Sequence, residues 1–448
     1  MSSKAIIIGG SISGNLAASV LAKYFDSVLI IDKDELPKQP KIRLGVPQST
    51  QPHTLLAKGY RLLEQLLSGI GIELETNGAL QTDCARDNWL FMGNWQVLSN
   101  IAPSDIKSFT CSRPLLEYSI RKLVTKRYSN IRFIKGKVSS LLCKDGEVTG
   151  VKLDLYHIRA NLILDCSGRR SLAPLWLKEI GFNSPTETII DSHLSYATCR
   201  VKEPKDFNED WKIMMFSERI GNQQRQGYIG RIENGDWIAT LGGYGSDTPP
   251  NDSKGFLEFA CTLPHFYKRI KKAKMTSPIY RYRNTANRLR HYERINMPES
   301  FAVLGDAVCA LCPIYGQGIT VSALSAIALG DWLSQTRSLA GFQDKLLSKI
   351  YFNWIHSTRL DLCLPETTTS SNVDSQPNFL TEFLSWYSER ASEIALVDGD
   401  LELYNLIVKI MNLTRSPLAL YHPNVLFRVL SNERTSQNLL NDLIKAIN

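Results

Sequence analysis

The chain has 448 residues, more than the roughly 250–300 that a single hydrophobic core organises, so two or three packed units are expected. Hydrophobic residues at 43% and charged residues at 21% exclude a disordered, collagen-like or disulfide-scaffold protein. The net charge of +8 is concentrated, because Lys268–Arg294 holds ten Lys/Arg against the single acid Glu293 and the remainder sums to −1. Such a segment attracts phosphates, an anionic membrane face or an acidic partner; no recognised nucleic-acid module accompanies it.

The first elements in chain order form a strand–turn–helix–strand unit. Ala5–Ile8 is an apolar strand, Gly9–Gly14 a turn, Asn15 to Tyr24 a helix and Val28–Ile31 the next strand. The start mimics a signal peptide, but Gly9, Gly10 and Gly14 break its apolar stretch, so no cleaved signal is expected. Helical spacing returns at Thr54–Leu67 and after Pro114 to Lys126. Ile131–Lys135, Val148–Leu155 and Leu162–Asp165 read as strands, with Asp145-Gly146 as a turn. From Asp191 to Tyr244 the strand-like pieces His193–Val201, Lys212–Glu218, Gln226–Ile232 and Trp237–Gly242 predict an antiparallel sheet. Ala302–Leu304 is a later strand and Ile319–Ser334 a helix. The uncharged run from Ala307 to Gly330 could span a bilayer by length, but Pro313, Gly316 and Gly318 interrupt it, so no transmembrane segment is expected. The final hundred or so residues are helical in pattern, with a Thr/Ser-rich break at Thr367–Gln376.

Three motifs carry chemistry. In Gly9-Gly10-Ser11-Ile12-Ser13-Gly14, a glycine turn brings backbone N–H groups to a helix N-terminus, where a pyrophosphate is favoured. Ser11 stands where the usual pattern has its middle glycine. Asp32 follows 18 residues after Gly14, at a strand end where an acid accepts from a ribose. The other two motifs are Leu162–Arg169, an apolar strand running into Asp165 and Gly168-Arg169, and Phe301–Ala307, ending in Gly305-Asp306 before Pro313–Thr320.

In this order the three motifs resemble the group A FAD-dependent monooxygenases, the aromatic hydroxylase superfamily, over roughly residues 4–335. Arg43–Gln48, Arg281-Tyr282-Arg283 and Pro313–Thr320 look closest to bacterial polyether-type flavin epoxidases. The resemblance implies an α/β fold: a Rossmann-like FAD-binding domain with an inserted antiparallel substrate sheet and a helical C-terminal region. The segments expected are 1–185 and 281–340 for FAD, 186–280 for the sheet and 341–448 for the helices. It also implies that Gly9, Gly14, Asp32 and Lys33 hold the adenosine end, Val138 flanks adenine, and Arg43 and Arg113 lie near the ribose and pyrophosphate. Asp165 would belong to a fingerprint shared with NAD(P)H, and Gly305 and Asp306 would meet the ribityl–pyrophosphate stretch. Pro313, Gly316, Gly318 and Ile319 would border the ring, the helix N-terminus there favouring negative charge on its N1–C2=O edge.

The activity implied is NAD(P)H-dependent reduction of FAD and oxygen transfer from a C4a-hydroperoxyflavin to an apolar polyketide- or terpenoid-like molecule. With no base evident in the sheet, epoxidation is favoured over hydroxylation of a phenol. Met214, Phe216, Tyr228 and Trp237 are expected to line the substrate pocket. No metal is expected, since no second Cys/His pair has ligand spacing. Cys309 and Cys312 form a Cys-x-x-Cys that reads more readily as core than as a redox dithiol. His53 fits either a flavin-facing residue or a helix start. A halogenase is disfavoured, as no two tryptophans are two residues apart; an isoprenoid reductase or dehydrogenase and a non-catalytic flavoprotein remain alternatives. Nine cysteines, odd in number and thinly spread, suit a reducing, cytoplasmic setting. A substrate held on a carrier or at the membrane surface stays open, and the basic segment supplies the attraction. Lys268, Arg269, Lys271, Lys272 and Lys274 would face water, and the arginines after Pro278 would approach the active site and bind NAD(P)H phosphate or a substrate carboxylate.

Overall fold

The computed structural model describes residues 3–92, 95–97, 103–154, 156–220, 223–362, 364, 367–372 and 379–432. A five-stranded parallel sheet lies at the centre, in the order Phe301–Val303, Leu162–Asp165, Lys4–Ile8, Ser27–Asp32, Ile131–Lys135. Strands covered on both faces need continuous apolar runs, and Ala5–Ile8, Val28–Ile31 and Leu162–Leu164 are buried throughout. The helices Ile12–Leu21 and Gly318–Leu333 pack on each other beside this sheet. Small residues on both (Ala17, Ala18, Ala323, Ala326) allow the close approach. The expected α/β architecture, a central parallel sheet packed with helices, is therefore present.

The antiparallel sheet is larger than the segment 186–280 suggests. Its order is Tyr280–Tyr282, Ser195–Lys202, Asp236–Gly243, Gln223–Ile232, Ile213–Ile220, Asn88–Met92, Trp95–Val97. The last two strands come from the first chain segment, and Asn88–Met92 pairs parallel to Ile213–Ile220. A contribution from so far back in the chain leaves no local signal. The break after the long C-terminal helix Phe342–Leu362 also finds a partner: Thr369–Ser371 pairs with Glu187–Asp191, while residues 373–378 lie outside the described residues. No helix among the described residues is long and apolar enough to cross a membrane.

Strand alternation assigns the two faces of the sheet. Met214, Ile229, Ala239 and Cys199 lie across from one another on neighbouring strands and share one face. The helices Ser253–Cys261 and Pro264–Ile270 cover that face, and Phe256, Phe259, Phe266 and Ile270 complete a separate core there. Met214, Phe216 and Trp237 belong to this core, with exposures of 0%, 3% and 1%. Phe216 stacks on Phe91 with centroids 5.0 Å apart, and Trp237 meets Trp211 at 4.9 Å. These three residues are thus sheet core, contrary to their expected place in a substrate pocket. The other face carries Met215, Tyr228, Thr240, Thr198 and Tyr196, paired in register, and it looks toward the parallel sheet.

Truncating Met214 to Ala should therefore lower stability by about 2–5 kcal/mol in denaturant unfolding while leaving ligand affinity unchanged. A large loss of ligand affinity at unaltered stability would restore it to the binding wall.

Candidate active site

A cavity at the ends of the parallel strands, with Tyr282 on the edge of the antiparallel sheet in its wall, has a volume of about 310 Å³. Its wall includes Gly9, Asp32, Lys33, Arg43, Arg113, Val138, Asp306, Pro313, Gly316, Gly318 and Ile319, so eleven of the fourteen residues expected around a cofactor converge there. The other three lie just behind. A Cβ at Gly14 would sit 1.9 Å from the Gly9 carbonyl oxygen, so only glycine lets the helix close onto the turn. Gly305 packs against Ser13. Asp165 is fully buried and accepts from the Ser167 N–H at 2.9 Å and from the Ser171 hydroxyl, ordering the turn that carries Ser167–Arg170 to the wall.

Two helix N-termini meet this cavity, and neither is capped by a side chain. Ser11 is the N-cap of Ile12–Leu21, but its hydroxyl donates to Glu117 Oε2 at 2.6 Å instead of accepting from the first turn. Gln317 is the N-cap of Gly318–Leu333; its amide bonds to His356 Nδ1 at 2.8 Å and accepts from Asn353 at 2.8 Å. Helix starts normally recruit Ser, Thr, Asp or Asn to satisfy their free N–H groups. Here those groups are left available to a ligand, with both helix dipoles positive toward the cavity.

A buried ionic network fixes the first of these ends. Glu117 Oε1 accepts from Arg43 Nε at 3.0 Å and Nη2 at 2.7 Å, while Arg113 and Arg121 stand one helical turn away on either side at 3.6 and 3.7 Å. Burial alone would raise the Glu117 carboxyl, but Arg113 and Arg43 hold it below its ordinary range. Arg43 also reaches Asp32 Oδ1 at 3.2 Å, and the other Asp32 oxygen accepts from the Gly10 N–H at 2.7 Å. Arg113 donates from Nη2 to Ser11 at 2.9 Å, yet its buried Nε has no partner among the described residues. That unpaired donor and the uncapped turn suit an anionic group at the same spot. Glu117 was not among the expected site residues, although Arg113, Glu117 and Arg121 recur at every fourth position and so share a helix face.

At the far end, Arg169 holds the Ala286 carbonyl at 2.6 Å and the Leu311 carbonyl, and lies 3.9 Å from Asp306. Burial raises the Asp306 carboxyl against the pull of Arg169 and Arg113. Gly316 adopts φ 65°, a left-handed turn that ends Pro313–Tyr315 and lets Gly318 begin its helix at the wall. His53 lines the cavity, its Nδ1–H donating to the Gln51 carbonyl at 3.0 Å. Burial and the neighbouring Arg113 push its pKa down to about 3. Gln51 accepts from Thr198 at 2.6 Å, and the Tyr228 hydroxyl lies beside Thr54 and Thr110. Tyr228 is thus the one expected substrate residue on the sheet face toward the cavity, although it stands behind the wall residue Thr54 and does not line the cavity itself.

Other expected features resolve differently. Arg290 is buried against Glu187 at 2.7 Å and the Ala307 carbonyl at 2.9 Å, and Arg288 faces Glu187 at 3.6 Å, so both brace the fold rather than await a phosphate. Arg281 and Arg283 stay exposed. Lys268, Lys271, Lys272 and Lys274 face water as expected, but Arg269 is half-buried on Glu209 at 3.0 Å. Cys309 and Cys312 are both buried free thiols, pushed up by burial.

No protein-family model matches the chain. It is 28% identical to Protein Rv3254 of Mycobacterium tuberculosis over 340 residues, covering 72% of this chain and 71% of that protein. Among solved structures, a flavoprotein/dehydrogenase from Cytophaga hutchinsonii superposes with a TM-score of 0.63 at 14% identity, covering 95% of each chain. The myxobacterial chondrochloren halogenase CndH, an FAD-dependent halogenase, superposes with a TM-score of 0.62 at 14% identity, covering 92% of this chain and 97% of its own. The fold is therefore one carried by flavin-dependent enzymes.

Because Glu117 is held ionised, the stability it contributes is present above its unfolded pKa and lost as pH falls through the lower folded value. Replacing it with Gln should cost about 3–5 kcal/mol at pH 7, and the difference from the native chain should shrink below about pH 4. Denaturant unfolding at several pH values measures this; a pH-independent difference would remove Glu117 from the network.

Proposed function

We propose that the cavity binds FAD and that the protein is an NAD(P)H-dependent flavin monooxygenase acting on a small molecule. The observation that carries this reading is the pair of uncapped helix ends on one cavity, together with the unpaired Arg113 Nε. Asp32, Lys33 and Val138 would hold the adenosine end, Gly9–Ser13 and Arg113 the pyrophosphate, and Asp306 the ribityl stretch. Pro313, Gly316, Gly318 and Ile319 would border the ring. Bound FAD would supply electron uptake from NAD(P)H and the activation of O2 for transfer of one oxygen atom.

The chain's own residues set the rest. The Gly318–Leu333 N-terminus stabilises negative charge beside it without reorganisation. Tyr228, Thr198 and Thr240 stand behind the opposite side, where Thr198 holds the cavity-lining Gln51 at 2.6 Å and Tyr228 lies beside the cavity-lining Thr54. His53 cannot act as an effective base near neutrality, because its pKa of about 3 lies far below the working pH. With His53 disfavoured as the base that a phenol would need, epoxidation of an alkene in a polyketide- or terpenoid-like substrate is the reading we favour. The exposed lysines of Lys268–Lys274 would add a diffuse field for an anionic carrier of that substrate. A dehydrogenase acting without oxygen transfer is the second reading, supported by the fold shared with a flavoprotein/dehydrogenase.

The purified protein should release non-covalent FAD on heating, and Asp306→Ala should lower flavin occupancy. NAD(P)H oxidation should consume O2, and labelled oxygen should appear in the product of a polyene substrate. Substrate oxidation without O2 uptake would favour the dehydrogenase, and absence of flavin would refute the whole reading.

A further inference from the structure

The helix Phe342–Leu362 lies outside the parallel sheet, and the resemblance assigns it no role. Three of its polar side chains, Asn353, Ser357 and Asp361, recur at every fourth position and are exposed by only 1%, 0% and 0%. All three engage the loop that leads into the Gly318 helix, or the strand that supports it. Asn353 donates to Gln317 at 2.8 Å. Ser357 donates at 2.7 Å to Asn287 Oδ1, which also accepts from the Cys312 N–H at 2.8 Å. Asp361 Oδ1 accepts from the Tyr315 hydroxyl at 2.6 Å, and Oδ2 from the Asn287 amide at 2.6 Å. The stripe therefore grips Cys312, Tyr315 and Gln317, three positions of the loop that forms the cavity wall at Pro313, Gly316 and Gly318.

Asp361 is the unusual member. Among the described residues no lysine or arginine pairs with it, and a carboxylate buried without a cation is costly. The groups facing it are Asp191 and Ser192 at one strand end, Asn287 on the next strand, Tyr196 and Tyr244 from the antiparallel sheet, and Cys312 and Tyr315 on the loop. Within that set Asp191 is the other carboxylate, and the rest are neutral.

We propose that Asp361 is a positioning residue for the cofactor loop, and that its ionisation, passed through Tyr315, weakens flavin binding as pH rises. This rests on the FAD reading above. When Asp361 ionises, a negative charge appears behind the loop on the carboxylate that accepts from the Tyr315 hydroxyl and the Asn287 amide, so it reaches the cavity wall through the Tyr315 contact. FAD, itself anionic, then meets a less favourable wall; by reciprocity, bound FAD favours the protonated carboxyl. Burial has already pushed the Asp361 pKa up to about 6, so the change falls in an accessible range. The sign for stability is the same. With the folded value above the unfolded one, the native state binds more protons between about pH 4 and 6, so stability falls as pH rises through that window.

The test uses the full-length protein, with FAD affinity from flavin fluorescence and melting temperature measured between pH 5 and 7.5. The native chain should bind FAD roughly three- to tenfold more weakly at pH 7.5 than at pH 5, the size of a coupling of half to one pKa unit, with a midpoint near 6. Asp361→Asn, whose amide oxygen can still accept from Asn287 while its N–H donates to the Tyr315 hydroxyl oxygen, cannot ionise and should bind with pH-independent affinity. It should also lose the native fall in melting temperature across the lower part of the range. Tyr315→Phe should retain that fall, because Asp361 still titrates, yet lose most of the flavin response. A pH profile of affinity that Asp361→Asn leaves unchanged would overturn the proposal, as would a native profile with no slope. A protein that binds no FAD at any pH would instead overturn the reading beneath it.

Discussion

The arrangement of the molecule depends on keeping two helix N-termini open toward one cavity. A helix end exposes N–H groups that must find acceptors, and the cheapest acceptor is a nearby side chain. In this fold both available side chains are occupied elsewhere: Ser11 by Glu117, and Gln317 by Asn353 and His356. Glu117 in turn is held by Arg43 and Arg113, and Asn353 is carried by a helix from the C-terminal region. Distant segments thus occupy both side chains that could have capped these ends and leave the two N-termini facing the cavity.

Much of this frame is legible in the sequence because it is local. A fully buried parallel strand must be apolar along its length, so the runs Ala5–Ile8 and Leu162–Leu164 announce themselves by composition alone. A Cβ at Gly14 would fall 1.9 Å from the Gly9 carbonyl oxygen, so that position must be glycine. Asp32 follows from its place at a strand end. The network that uses Asp32 is not legible in the same way, since Arg43 lies in an irregular loop and Glu117 acquires its role only when the two are folded together. The fourfold spacing of Arg113, Glu117 and Arg121 signals a shared face, though not what that face meets.

The substrate side shows where local reading stops. Alternation along Ile213–Ile220 and Asp236–Gly243 separates two faces cleanly, but the pattern alone does not say which face meets the cavity. Aromatic and large residues such as Phe216 and Trp237 suggest a pocket; the helices Ser253–Cys261 and Pro264–Ile270 claim that side and turn it into core. The face left for the cavity carries hydroxyls and tyrosines instead. A one-residue change of parity exchanges the whole set. That face is more polar than the aromatic pocket expected.

The C-terminal helix Phe342–Leu362 joins these themes, since its apolar positions Leu346, Ile350 and Trp354 pack into the main core while its polar stripe reaches the loop beneath the second helix end. The measurement that addresses the central claim most directly is an experimental structure of the protein crystallised with FAD. The pyrophosphate should lie against Gly9–Ser13 within reach of Arg113 Nε, with the ring bordered by Pro313, Gly316 and Gly318. FAD bound in the opposite direction, or a cavity that stays empty at saturating FAD while both helix ends acquire protein caps, would contradict it.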